Sequence, residues 1–254
     1  MNKTVFITGA TAGIGKACAE LFAQNSYRIL ISGRRTERLK TLAKALREEY
    51  QVHVHEVAFD VRDQTAVAAA LNSLPEAWKH IDILINNAGL AAGKDAIQNG
   101  KRTNWERMID TNVKGLLYVS EQIIPQMVNR KSGHIINVSS TAGKETYPGG
   151  NVYCASKHAV EAITEGMRQD LLPFNIRVSR VSPGMVETEF SLVRFDGNKQ
   201  AADATYHGMT PLRPEDVADA IFYMATRPPH VCVNDLVLLP TAQANSYLVH
   251  RTEQ

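Results

Sequence analysis

The chain has 254 residues, a net charge of +2 and 21% charged residues, a composition typical of globular proteins. This small net charge, without a Lys/Arg-rich run, argues against nucleic acid as the main partner. No stretch reaches the ~20 apolar residues of a membrane span, and no apolar leader precedes the first strand, so we expect a cytoplasmic protein without membrane contact. The three cysteines are too widely spaced for a disulfide framework or a metal site.

Short apolar segments with strand character alternate with longer segments of helical periodicity. The predicted strands cover residues 4–8, 28–32, 52–57, 81–85, 134–138, 176–181 and 235–239. The predicted helices cover residues 15–24, 36–50, 63–74, 103–129, 150–172 and 214–226. This alternation predicts right-handed crossovers and a parallel sheet covered on both faces, in one α/β domain spanning residues 1–254.

A polar segment, residues 187–209, lies between the Pro183-Gly184 turn and the last predicted helix. It shows the weakest pattern of helix or strand in the chain. Long irregular segments within compact domains often serve as binding loops. We therefore expect a mobile loop that covers a site.

Three glycines, Gly9, Gly13 and Gly15, follow the first predicted strand and open the first predicted helix. Glycine permits a tight turn and lets the backbone approach a pyrophosphate, which a helix N-terminus binds through its free N–H groups. The spacing G-x-x-x-G-x-G differs from the standard dinucleotide pattern, so a plain glycine-rich turn is the alternative. The position at the start of an alternating α/β chain favours a dinucleotide site.

The second predicted strand ends in Ser32-Gly33-Arg34-Arg35, without the acidic residue that accepts a hydrogen bond from the ribose of NAD. A carboxylate would repel a 2′-phosphate, whereas guanidinium groups bind one through paired hydrogen bonds. Arg34 and Arg35 therefore favour NADP over NAD. The alternative is that both are solvated residues at a helix start, where cations are slightly unfavourable.

Tyr153 and Lys157 stand four residues apart in a predicted helix and so share one face of it. A phenol has an ordinary pKa near ~10, and we expect the neighbouring ammonium to lower the pKa of Tyr153. The phenol then exchanges a proton with a substrate oxygen while a hydride moves at carbon. Such a pair is often only a surface contact, so the polar residues around it decide whether a catalytic role is plausible.

Other polar residues lie where this pair would need them. Ser139-Ser140 ends the fifth predicted strand and Asn86-Asn87-Ala88-Gly89 ends the fourth, at the sheet edge where α/β folds bind ligands. Asn112 falls inside a predicted helix, where asparagine is disfavoured, which indicates a task for its side chain.

Taken together, the segments TGATAGIG at 8–15, NNAG at 86–89, Asn112, Ser140, Tyr153-x-x-x-Lys157 and Pro183-Gly184 resemble the short-chain dehydrogenase/reductase family over almost the whole chain. The resemblance implies a Rossmann-like, doubly wound fold with a seven-stranded parallel sheet. It also implies a catalytic tetrad of Asn112, Ser140, Tyr153 and Lys157, in which Asn112 holds a water of a proton relay and Lys157 contacts the nicotinamide ribose.

By the same resemblance, the cofactor is NADP. The residues expected to bind it are Gly9, Thr11, Gly13, Ile14, Gly15, Arg34, Arg35, Asp60, Val61, Asn87, Ala88, Gly89, Tyr153, Lys157, Pro183, Gly184, Val186 and Thr188. None of the tetrad roles requires a metal, and no His/Cys/Asp cluster has metal-ligand spacing.

Two further stretches, 140–153 and 188–195, resemble the NADP-dependent 3-hydroxy acid dehydrogenases within the family. That resemblance implies L-serine, L-allo-threonine, 3-hydroxyisobutyrate or 3-hydroxypropionate as substrate, or malonic semialdehyde in the reverse direction. It also implies a homotetramer to which the tail at 241–254 contributes.

An acidic substrate needs a cation near the reacting carbon. Arg194, in the 187–209 segment, is the candidate, and Ser140 and Tyr147 are expected to border the substrate. A loop arginine paired with Glu187 or Glu189 is an equally good interpretation. The competing functions are a broad-specificity carbonyl or 3-oxoacyl reductase, and a cofactor-binding regulator without turnover.

Overall fold

The computed structural model describes residues 2–252. Seven parallel strands form one sheet in the order β3-β2-β1-β4-β5-β6-β7. The strands are β1 (Thr4–Ile7), β2 (Arg28–Gly33), β3 (Val54–Ala58), β4 (Ile83–Asn86), β5 (Gly133–Val138), β6 (Ile176–Pro183) and β7 (Asp235–Leu238). The predicted Rossmann-like α/β fold with a seven-stranded parallel sheet is confirmed.

Helices connect the strands and cover both faces of the sheet. They are α1 (Gly13–Gln24), α2 (Thr36–Tyr50), α3 (Gln64–Asn72), α4 (Arg102–Ile109), α5 (Gly115–Arg130), α6 (Asn151–Leu171), α7 (Glu189–Arg194), α8 (Lys199–Ala204) and α9 (Pro214–Thr226). Within residues 2–252, no helix combines the length and apolar character that crossing a bilayer demands.

Side chains of the central strand β1 point alternately into two apolar clusters. Val5 and Ile7 pack against residues of α1, α2 and α9 on one face, whereas Phe6 packs against α3 and α5 on the other. All three side chains are fully buried. Because helices cover both faces, the strand is a continuous apolar run and does not alternate between polar and apolar residues.

The direction in which the chain crosses the sheet reverses between β1 and β4. Ile7 of β1 is in register with Ile31 of β2 on one side and with Ile85 of β4 on the other. The connections that leave β1 and β4 therefore diverge, and a crevice opens beyond the carboxyl ends of these strands. Both the glycine loop and the 86–89 segment border it.

The helix predicted over 103–129 is interrupted. Between α4 and α5 the chain forms a π-helical segment, Asp110–Lys114, which contains Asn112. π-Helical turns are rare and often occur at functional sites. The interruption therefore agrees with the expectation that Asn112 has a task inside the protein.

The expectation of an irregular loop over 187–209 is wrong in one respect, because the segment contains α7 and α8. Each helix begins at a polar cap: Thr188 accepts a hydrogen bond from Phe190 N at 3.1 Å, and Asn198 accepts one from Ala201 N at 3.1 Å. Short, polar, capped helices lack a long apolar periodicity, which is why the sequence pattern did not reveal them.

Candidate active site

A cleft of about 320 Å³ opens at the crevice between β1 and β4. All the residues predicted to bind the cofactor line it except Gly15. Ser140 also lines it, whereas Asn112, Tyr147 and Arg194 lie behind or beside its wall. The fold thus brings residues from positions 9–14 together with residues from 183–193.

The glycine loop forms the floor of the cleft. Gly9 and Gly13 adopt φ angles of +68° and +53°, which side chains other than glycine disfavour. A Cβ on Gly15 would stand 2.6 Å from Gly9 O, so this glycine permits close packing of helix against loop instead of lining the cleft. The first turn of α1 has no side-chain cap, which leaves N–H groups available to an anion.

Asn87 fastens the end of β4 to this loop. Its Nδ2 donates to Thr8 O at 2.9 Å and Gly9 O at 3.3 Å, while Thr8 Oγ1 accepts from the N–H groups of Asn87 and Ala88 at 3.1 and 3.0 Å. The two loops at the crevice are therefore held in one geometry. This rigid cradle, with its close backbone approach, fits a dinucleotide.

Three arginines follow β2, and the first two line the far end of the cleft. Arg34 Nη1 lies 3.6 Å from Asp60 Oδ2, and Arg35 donates from Nε and Nη2 to Thr11 Oγ1 at 3.0 and 2.7 Å. The third, Arg38, was not predicted, although it lies one helical turn beyond Arg34 and Arg35. The arginine cluster, and the absence of an Asp or Glu at the end of β2, fit a cofactor with a 2′-phosphate.

Both Arg35 and Arg38 donate to the carboxylate of Glu189, at 2.7 Å from each Nη1. The interpretation of Arg194 as a loop arginine paired with Glu187 or Glu189 is therefore wrong. Glu189 pairs with the two arginines after β2, and no ion pair joins Arg194 to Glu187 or Glu189 within residues 2–252.

Tyr153 and Lys157 are buried on the same face of α6. Burial raises the pKa of Tyr153, and this effect outweighs a lowering by hydrogen bonding to Ser140 and by the charge of Arg194. Burial also lowers the pKa of Lys157 to about 8, against a smaller opposing effect of Glu161.

The expected lowering of the Tyr153 pKa by Lys157 is not found in this structure. Lys157 Nζ donates to Val138 O at 2.9 Å and lies 3.5 Å from the point where a Cβ of Gly89 would stand. Its ammonium therefore turns towards the carboxyl ends of β4 and β5. Sharing a helix face placed the two residues together, but the direction of the lysine side chain depends on the strands beneath it.

Asn112 uses its side chain to hold two other segments. Its Oδ1 accepts from Leu90 N at 2.8 Å, and its Nδ2 donates to Leu90 O at 2.8 Å and to Ser156 Oγ at 2.9 Å. Ser156 Oγ in turn donates to Tyr153 O at 2.7 Å. The amide therefore ties the segment after β4 to the helix that carries Tyr153. Both protons of the Asn112 amide are already donated, so a water bound beside it could only donate to an oxygen acceptor.

Arg194, at the end of α7, lies beside the ring of Tyr153. Its guanidinium carbon is 5.8 Å from the ring centroid of Tyr153 and 5.5 Å from that of Tyr147. Nε donates to Gly93 O at 3.1 Å, whereas Nη2 is buried and makes no hydrogen bond among the described residues. Burying a charged donor without a partner is costly, and an anion bound here would remove that cost.

Tyr147 and Phe190 complete this side of the cleft. Burial raises the pKa of Tyr147, although the charge of Arg194 acts in the opposite direction. Phe190, which the sequence analysis did not single out, meets the Tyr153 ring edge-on with 5.7 Å between centroids. Its position two residues after the Thr188 cap was the available signal. Within residues 2–252, no group of three His, Cys, Asp or Glu side chains is placed to hold a metal ion.

The chain matches known proteins over nearly its whole length. The sequence model of the short chain dehydrogenase family matches residues 3–198. Sulfoacetaldehyde reductase 2 of Chromohalobacter salexigens is 46% identical over 245 residues, 96% of each chain. The NADP-dependent 3-hydroxy acid dehydrogenase YdfG of Salmonella typhi is 44% identical over 250 residues, 98% of this chain and 99% of the relative.

A solved structure agrees. The closed form of serine dehydrogenase complexed with NADP+ is 43% identical, superposes with a TM-score of 0.92, and matches over 98% of this chain and 100% of its own. Sequence, fold and the arrangement of the cleft all agree with one family assignment. This chain belongs to the short-chain dehydrogenase family.

Proposed function

We propose that the protein is an NADP-dependent oxidoreductase that transfers a hydride between nicotinamide and a small 3-hydroxy acid. L-Serine, L-allo-threonine, 3-hydroxyisobutyrate and 3-hydroxypropionate represent the substrate class. The observation that carries the proposal is the guanidinium of Arg194, which lies beside Tyr153 with a buried Nη2 that lacks a partner. A carboxylate supplies the missing acceptor.

The cofactor would lie along the cleft, with its pyrophosphate on the glycine loop and the first turn of α1. Arg34, Arg35 and Arg38 would bind the 2′-phosphate, and Lys157 would reach the ribose next to the nicotinamide. When bound, the reduced nicotinamide supplies the hydride for the substrate carbonyl carbon. The relatives whose names specify NADP support this choice of cofactor.

The residues of the chain supply the proton. Tyr153 is buried with a raised pKa, so its phenol is protonated near neutral pH and can donate to a carbonyl oxygen that gains a hydride at carbon. Ser140 lines the cleft together with Tyr153 and can hold the same oxygen. Asn112 fixes the segment after β4 against α6 and thereby keeps these groups in place. In the oxidative direction the same phenol, once ionised, would accept the proton.

A sulfonate is the second candidate for the acidic group of the substrate. In a 3-hydroxy acid, one carbon separates the carbinol carbon from the carboxylate. In 2-hydroxyethanesulfonate, the reduced form of sulfoacetaldehyde, one carbon separates the carbinol carbon from the sulfonate. Arg194 would therefore meet either anion at the same distance from Tyr153, and the relatives named as sulfoacetaldehyde reductases favour testing both.

The experiment is a substrate panel in which only the acidic group changes. Initial rates with NADP+ are measured for the four 3-hydroxy acids, for 2-hydroxyethanesulfonate and for the methyl ester of 3-hydroxypropionate. We expect at least one acid to exceed the ester in kcat/KM by two orders of magnitude. Equal rates for acid and ester would instead support the broad carbonyl or 3-oxoacyl reductase, and no turnover at all would support the regulator.

The domain organisation of the chain and its oligomeric state are predictions from the sequence. We propose one catalytic domain over 1–254, a substrate-binding segment over 187–209, and a cytoplasmic homotetramer with a small-molecule substrate. The tail at 241–254 is described only to residue 252, and within that part Arg251 donates to the backbone of Thr205 and His207 in the substrate-binding segment. Sedimentation of the purified protein tests the tetramer.

A further inference from the structure

One short helix links the two ends of the cleft. α7 begins at Glu189, beside the arginines that follow β2, and ends at Arg194, beside the ring of Tyr153. Its second residue, Phe190, contacts the same tyrosine ring. Because the helix is only six residues long, a displacement of Glu189 also shifts the groups around the proposed acid.

The carboxylate of Glu189 occupies guanidinium donors of two arginines. Arg35 Nη1 donates to Oε2 at 2.7 Å, and Arg38 Nη1 donates to Oε1 and Oε2 at 2.7 and 3.0 Å. The other side of the Arg35 guanidinium donates to Thr11 Oγ1. These bonds, chiefly the one from Arg35, hold the pKa of Glu189 below its ordinary value against a raising effect of burial.

Both sides of the Arg35 guanidinium are thus engaged within the chain. A 2′-phosphate that binds Arg35 through paired hydrogen bonds has to replace one of these partners. The phosphate carries up to two negative charges and the carboxylate one, so the exchange favours the phosphate. The paired side chains of Arg35, Arg38 and Glu189 are 42%, 52% and 43% exposed, and ion pairs of this exposure are weak.

We propose that Glu189 is a specificity-determining residue that occupies the 2′-phosphate site of the cofactor-free enzyme and is displaced by the 2′-phosphate. This inference depends on the NADP dependence proposed above. The 2′-phosphate of NADP then frees the Glu189 carboxylate from Arg35 and Arg38, whereas NAD, which lacks the phosphate, leaves the contact intact.

The same contact sets the strength of cofactor discrimination. Removing the charge of Glu189 removes a competitor for the arginines, so a ligand with a 2′-phosphate should bind more tightly. A ligand without that phosphate should be unaffected. Glu187, two residues earlier in the chain, is exposed and forms no ion pair among the described residues, so Glu187→Gln is a matched control for the loss of charge.

The test uses two nucleotides that lack the nicotinamide half, adenosine 2′,5′-bisphosphate and 5′-AMP. Their binding to the wild type, Glu189→Gln and Glu187→Gln is measured by calorimetry. We expect Glu189→Gln to bind the bisphosphate about fivefold more tightly, the strength of one exposed ion pair, and 5′-AMP unchanged. Glu187→Gln should match the wild type with both nucleotides. An unchanged affinity of Glu189→Gln for the bisphosphate would overturn the proposal.

Hydrogen–deuterium exchange reports the release itself. The bisphosphate should speed exchange over residues 188–194 in the wild type and in Glu187→Gln, and 5′-AMP should not. In Glu189→Gln, exchange should be fast without any ligand. Protection of these residues by the bisphosphate in the wild type would refute displacement. If the wild type binds the two nucleotides equally well, NADP dependence fails as well. If it prefers the bisphosphate and Glu189→Gln changes nothing, only the role of Glu189 fails.

Discussion

Replacing Arg194 tests the part of the site on which the substrate class depends. We expect Arg194→Met to lower kcat/KM for the acidic substrate and to leave that for its uncharged ester nearly unchanged. The guanidinium lies between the rings of Tyr147 and Tyr153, and its buried Nη2 has no partner among the described residues. Methionine keeps an unbranched apolar stem but is shorter than arginine, and it removes the charge and every donor.

The magnitude follows from one ion pair in a partly buried cleft. Two unit charges ~4 Å apart at an effective dielectric constant of ~20 attract each other by about 4 kcal/mol. Arg194 is half-buried, so water screens part of this energy, and hydrogen bonds to a charged group contribute about 1.5–3 kcal/mol. A loss of about 2–4 kcal/mol corresponds to a decrease of roughly 30- to 1000-fold in kcat/KM.

Steady-state kinetics with the acid and its methyl ester provide the measurement. Arg107→Met is the matched control, because Arg107 Nη1 also contacts the substrate-binding segment, at 3.6 Å from Asp196 Oδ1, whereas it is the guanidinium of Arg194 that lies over the rings of Tyr147 and Tyr153. This control should keep the wild-type ratio of acid to ester. An equal decrease for acid and ester in Arg194→Met would show that the arginine supports the fold of the segment and not the anion, and would refute the reasoning.

Three further outcomes follow from the proton donor, the cofactor site and a buried histidine. Tyr153→Phe removes the proposed acid while keeping the ring contact with Phe190, so turnover should fall almost to zero while NADPH binding, followed by fluorescence, is retained; normal turnover would refute the mechanism. Arg34→Ala should weaken NADPH binding about tenfold and NADH binding little in the same titration, and equal effects would remove the 2′-phosphate argument. Burial lowers the pKa of His134 to about 3 from an ordinary value of 6.5, so the folded state resists protonation and the unfolded chain takes up the proton first. The contribution of neutral His134 to the free energy of unfolding is complete above about pH 6.5 and is lost as the pH falls towards 3. By pH 5 the loss amounts to about 2 kcal/mol. Urea unfolding should therefore show a smaller decrease between pH 7 and pH 5 for His134→Gln than for the wild type, and equal decreases would contradict the assignment.

The fold was predictable because its signals are local. A continuous apolar strand such as β1 is predicted to be buried on both faces, and the glycines and helix that follow it predict a parallel arrangement. Repeating that unit limits the chain to parallel strands with right-handed crossovers, which leaves few topologies. The capped helices α7 and α8 escaped this reasoning because six-residue polar helices carry no periodic apolar face.

The candidate site was predictable only as a set of residues. The glycines, the arginines after β2 and the pair of Tyr153 and Lys157 each follow a local rule about turns, charges or helix faces. Their partners did not follow from such rules. Asn112 has its side-chain amide on Leu90, 22 positions away, and nothing in the helical pattern indicates that contact.

The sequence by itself therefore determined the alternating α/β plan, the glycine turns and the preference for a 2′-phosphate, since each depends on neighbouring residues. Only the tertiary structure decided that Lys157 turns to Val138 and that Arg194 faces Tyr153. It also decided that Glu189 pairs with Arg35, 154 positions earlier in the chain. Contacts at such separation depend on the order of strands in the sheet and on the path of the connections over it. No local pattern of residue types encodes these, because the same side chains are compatible with several partners until the chain has folded.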